Sequence, residues 1–162
     1  MASENPAAAL SEGVDNPIYV VCVGHDGQRA GCVAGYVTQC SLDPVRFLVC
    51  ISKANYTYGV ASHADGLSLH LLGSGQHALA VLFGHLTGDT SDKFSQCEWT
   101  TGETGAPLLR QCAAWMEGSV MAKHDVGDHV AFLVSPVHGG AGPEKGQLTV
   151  KQTSDIEAGH SA

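Results

Sequence analysis

The feature that most constrains this chain is a series of short apolar runs, each closed by a turn signal. Residues 17–24 (PIYVVCVG) are rich in β-branched side chains and run into His25-Asp26-Gly27-Gln28, where Asp-Gly favours a hairpin. This pattern predicts strands over residues 17–24, 30–38 and 46–52 (RFLVCIS), with residues 39–44 as a connection closed by Asp43-Pro44. Further strands are expected at 67–72, alternating across His70, at 129–138 (HVAFLVSPVH), once or twice within 107–123, and as a short closing strand at 147–151. Asn55 suits a helix N-cap before TYGVASHA, and residues 77–86 carry apolar side chains at helical spacing. Residues 87–105 are polar and glycine-rich and read as a long surface excursion. Many short strands and few helices, without β-α-β alternation, predict an α+β domain that is mainly β. An antiparallel barrel is expected, because closure removes the exposed edges that so short a sheet would leave.

The 162 residues suit one domain over residues 16–151, with a loose arm before it (1–15) and a flexible tail after it (152–162). The formal net charge of -8 repels phosphate backbones and anionic lipid, so neither nucleic acid nor a membrane surface is an expected partner. No apolar stretch reaches the roughly 20 residues of a spanning helix, and residues 1–13 lack the basic start and apolar middle of a signal peptide. A cytoplasmic location is the expectation. Six cysteines form no C-x-x-C pair and several sit inside apolar runs, which predicts reduced, buried thiols and no metal site.

Gly73-Ser74-Gly75-Gln76-His77-Ala78 fits the skeleton G-x-G-x-x-A of a dinucleotide-binding turn. The segment after the next helix, TGDTSDKFSQCEW, is no buried parallel strand, so a plain strand-to-helix turn is expected instead.

Three other stretches carry more in their order and spacing. They are Val33-Ala34-Gly35-Tyr36-Val37-Thr38-Gln39 followed by Ser41-Leu42-Asp43-Pro44, then Ser52-Lys53-Ala54-Asn55-Tyr56-Thr57-Tyr58, then Gly127-Asp128-His129. Together with Asp92-Lys93-Phe94 and the stretch from Gly102 to Pro107, they make residues 16–138 resemble the flavin reductase-like family. That resemblance implies an FMN-binding, Greek-key split barrel with a few short helices. It implies flavin ring and ribityl contacts along Val33, Ala34, Gly35, Tyr36, Val37, Thr38, Gln39 and Ser41. Ribityl and phosphate contacts would come from Ser52, Lys53, Ala54, Asn55, Thr57 and Tyr58. His129 would meet the nicotinamide, with Asp128 orienting it. The chain departs from the family where serines are frequent, at Gly35 and Tyr36 and at Ala54 and Asn55.

The resemblance further implies hydride transfer from NAD(P)H to FMN, with FAD as an alternative, in a homodimer that could supply a monooxygenase. Protein groups need only stack two rings and exclude water, so the lack of a recognisable nucleophile is consistent with it. A non-enzymatic flavin-binding or electron-transfer protein, a barrel for another cofactor such as deazaflavin or haem, and a structural module remain as alternatives at this level.

Overall fold

The computed structural model describes residues 5–85 and 92–157. After a short helix, α1 (Ala8–Gly13), which buries nothing, come strands β1 (Tyr19–His25), β2 (Gln28–Ala34), β3 (Val37–Leu42) and β4 (Val45–Ser52). Helix α2 (Tyr56–Ala61), strand β5 (Gly66–Leu71) and helix α3 (His77–His85) follow. The last strands are β6 (Thr100–Thr101), β7 (Pro107–Leu108), β8 (Ala114–Asp125) and β9 (His129–Ala141). β6 and β7 pair with each other, and the other seven form one sheet in the order β2-β1-β5-β8-β9-β4-β3, antiparallel throughout.

Chain length forces this sheet to curl. A flat sheet of seven strands at about 4.8 Å spacing is about 29 Å wide. β2 and β3 occupy its opposite edges, yet only Gly35 and Tyr36 separate them. That link reaches at most about 11 Å. The two edges therefore come close, and the sheet rolls around an interior core.

β1 shows why its run is apolar on both faces. Val21 and Val23 point into the barrel with Val49, Ile51, Leu69 and Phe132. Val20 and Cys22 join a second core outside it, with Ala80, Phe83, Phe94 and Leu109. A strand covered on both sides reads as a continuous hydrophobic stretch. Val60, Ala61 and Ala64, from α2 and the turn after it, plug one end of the interior, and α3 covers the outer core. Buried polar side chains are fully engaged: Lys93 donates to the carbonyls of Gly31 and Phe83, both at 2.9 Å. No buried side-chain nitrogen or oxygen among the described residues lacks a partner.

Several sequence expectations shift. Residues 39–42 are not a connection but most of β3, and the strand expected over 30–38 breaks at Gly35 and Tyr36, where the chain changes edges. The turn Asp43-Pro44 is cis. α2 is shorter than TYGVASHA, ending at Ala61 with Ser62 as its C-cap. α3 is described as far as His85, and residues 86–91 of the expected helix end and excursion lie outside the described residues. Beyond them the excursion is anchored, since Lys93 and Phe94 are buried. The expected closing strand is a single bridge, Thr149 with Pro17. Residues 152–157, expected as tail, fold back on α3 after a 3-10 turn (Lys151–Thr153), because Ile156 finds apolar cover there. Cys22, Cys32 and Cys112 are buried, whereas Cys40 is exposed at the β3 bulge. No helix is long and apolar enough to cross a membrane among the described residues.

Candidate functional site

Three stretches distant in sequence meet at one end of the sheet. They are the β2–β3 junction at Gly35 and Tyr36, the turn after β4 from Ser52 to Asn55, and the β8–β9 hairpin tip from Asp125 to His129. Backbone pairing fixes the arrangement. Cys50 N donates to Tyr36 O at 3.0 Å and Lys53 N to Asp128 O at 2.9 Å, and Ser52 faces His129 in the β4–β9 register. Gly127 allows the tight tip with φ 144°.

Side chains complete the cluster. The rings of Tyr36 and His129 lie 5.4 Å apart at 65°. His129 Nδ1 is 2.7 Å from Asp128 Oδ1, which leaves Nε2 without a hydrogen-bond partner among the described residues. Lys53 Nζ donates to Asp125 Oδ2 at 2.8 Å. That bond, aided by the Gly127 N–H, holds the Asp125 carboxyl below the usual carboxylate range. The hydrogen bond from His129 does the same for Asp128. Asn55 caps α2 by accepting from Thr57 N at 2.9 Å, and Ser52 Oγ accepts from Ala54 N at 3.3 Å.

A family model for the flavin reductase-like domain matches residues 11–154. This chain belongs to that family. A ferric-chelate reductase (NAD(P)H) of Archaeoglobus fulgidus is 34% identical over 119 residues, covering 72% of this chain and 70% of that protein. The reductase subunit of stachydrine N-demethylase from Rhizobium meliloti is 31% identical over 107 residues, 66% of this chain. The alignment spans only 45% of the length of that subunit. Among solved structures, an FMN-binding protein from Thermus thermophilus, crystallised with 1-cyclohex-2-enone, superposes with a TM-score of 0.77 at 28% identity, over 87% of this chain and 79% of that one.

The flavin reductase-like motifs do not all point the same way. Tyr36 is exposed just before β3, and Thr38 and Gln39 are exposed on it, an edge strand whose outer side pairs with no other strand among the described residues. Thr38 Oγ1 donates to Gln39 O, and Gln39 Nε2 donates to Ser41 O. Ala34, Val37 and Tyr58 instead pack against the interior core, and Thr57 is 1% exposed. Those four could offer a ligand little beyond backbone. Gly73 sits in a plain strand-to-helix turn, its N–H donating to Gln76 Oε1.

Residues missed from sequence include Asp125, the partner of Lys53, and Val150, Thr153 and Ile156, which approach the same stretches from the C-terminus. Asp125 could have been found from its place three residues before Asp128, at the end of β8 opposite Val130. The C-terminal residues carry no motif. Thr153 and Ile156 line a pocket of about 200 Å³ with Val33, Asn55, Phe83 and Gly84. At the barrel end away from α2, an apolar cleft of about 490 Å³ opens among Tyr19, Phe47, Leu69, Trp115, Met116 and Val137.

Proposed function

We propose that the β2–β3 junction and the two turns beside it bind FMN, and that the chain is an NAD(P)H-dependent flavin reductase. The observation that carries this is the meeting of the three stretches, with His129 beside Tyr36 and Lys53 beside Asp128. The donor set suits a flavin. An exposed strand edge around Thr38 and Gln39 matches the polar rim of a flat ring, and the Lys53 ammonium with the Ser52 hydroxyl suits an anionic tail. A bound flavin supplies the hydride acceptor for a reduced nicotinamide.

The chain's own residues then position and shield. β3 presents its unpaired backbone side to the ring. Asp128 holds His129 through Nδ1, so Nε2 is the nitrogen offered to the nicotinamide. Tyr36 packs against His129 and limits the orientations both rings can take. A homodimer fits the free edge of β3 and the exposed Leu42, Val45 and Val137. A monooxygenase partner and a cytoplasmic location accompany this function; the Rhizobium relative is itself a reductase subunit.

A second reading, a flavoprotein without turnover, is favoured by Gly35, Ala54 and Asn55, which offer the flavin no side-chain hydroxyl. Mixing the protein with FMN and either NADH or NADPH, and following nicotinamide absorbance, separates the two. The reductase oxidises nicotinamide, and His129→Ala lowers kcat/KM for it about tenfold, the worth of one hydrogen bond of about 1.4 kcal/mol, with little change in flavin affinity. A yellow protein that oxidises neither nicotinamide leaves the second reading standing.

A further inference from the structure

The last described residues run back across the proposed flavin site instead of leaving it. Val150 N donates to Asn16 O at 2.8 Å, and Lys151 N to the Asp15 carboxylate at 3.0 Å. The 3-10 turn then sends the chain to α3, where Asp155 Oδ1 pairs with His77 Nε2 at 2.9 Å. The Glu157 carbonyl meets His85 Nδ1, also at 2.9 Å. The segment is thus pinned to the approach of β1 and to both ends of α3. Between those anchors it touches the cofactor stretches. A Cβ on Gly35 would sit 3.1 Å from Val150 Cγ2, and one on Gly84 would sit 3.5 Å from Ile156 Cγ2. A side chain at residue 35 would therefore crowd Val150.

We propose that residues 149–157 form a strap that sets which flavin the site accepts: FMN fits beside it, and the adenylyl half of FAD does not. This deepens the flavin proposal and rests on it. Asn55 belongs to the stretch assigned to the ribityl and phosphate end, so a flavin extended beyond its phosphate runs toward the pocket that Asn55 shares with Thr153 and Ile156. That pocket of about 200 Å³ has the volume of roughly seven waters. A phosphate and its hydration fit in it; an adenosine would have to displace Thr153 and Ile156, which line it. Ile156 cannot retract cheaply, because it is packed on the outer core beside Phe83.

The test is titration of the full chain with FMN and with FAD, read by flavin fluorescence, alongside a chain ended after Gln152 and the variant Ile156→Ala. The native protein is expected to bind FMN at least about tenfold more tightly than FAD, and both altered chains to bring the two within about threefold. Should the shortened chain fail to fold, as a melting curve would reveal, Ile156→Ala decides alone. Equal native affinities, or a ratio unchanged in every folded variant, would overturn the strap. Binding of neither flavin to the native chain would overturn the flavin proposal instead.

Discussion

His70, in the middle of β5, has both ring nitrogens committed. Nδ1 donates to the Val20 carbonyl at 2.9 Å and Nε2 accepts from Leu109 N–H at 3.0 Å. A protonated ring could not accept, and burial pushes its pKa down to about 4 from 6.5, the bond to Val20 offsetting only part of this. The unfolded chain takes up a proton that the folded one refuses. The stabilisation is therefore complete above about pH 6.5 and falls by about 3 kcal/mol as the pH drops to about 4. Urea unfolding at pH 7, 6 and 5 should show that decline, and His70→Leu, though less stable throughout, should show a flatter profile. Glu117 behaves differently. Burial raises its pKa, but hydrogen bonds from Thr104 and Glu103 outweigh this and leave it below the usual range. Its contribution is present above the ordinary carboxylate pKa and disappears only as the pH falls through the lowered value, so the histidine dominates the milder acid range. Alternation in LSLHLL placed His70 on one face of a strand, but not its two bonds, which depend on strands and loops far away in sequence.

Among the elements, the loop between β6 and β7 is held by one side chain of β8. Glu117 accepts from Glu103 N and Thr104 N, both at 3.1 Å, and from Thr104 Oγ1 at 3.0 Å. Glu103 in turn pairs with His138 of β9 at 2.6 Å. Glu117→Gln replaces an acceptor by a donor against these groups. It should lower stability by about 1–3 kcal/mol and speed hydrogen exchange at the amides of Glu103 and Thr104 while the β1 amides stay protected. The strands themselves were largely legible, because β-branched runs and the Asp26-Gly27 turn report local geometry. The division between β2 and β3 was not. Nothing in VAGYVTQ breaks a strand, and only the closing of the sheet requires the chain to change edges there. The shortness of α2 was hidden as well, since it stops at Ser62 inside a pattern that stays apolar through Ala64.

For the molecule as a whole, the unpaired edge of β3 and the exposed side chains of Leu42, at 84%, and Val137, at 51%, are expensive to leave in water. Sedimentation equilibrium should give twice the mass of the 16.8 kDa chain, and Leu42→Asp should shift it toward the monomer. The candidate site was legible as three ordered motifs, and backbone pairing joins those stretches. Its C-terminal neighbours were not, because Val150 and Ile156 contribute shape alone, and shape leaves no signature in composition or spacing. The two-residue seam at Gly35 and Tyr36 has one more consequence. It is both the hinge on which the rolled sheet closes and the floor of the proposed flavin site, so occupancy and closure share a single free energy. Saturating flavin should then raise the melting temperature, and deuterium uptake should slow together on the two strands that flank the seam, although they never pair with each other.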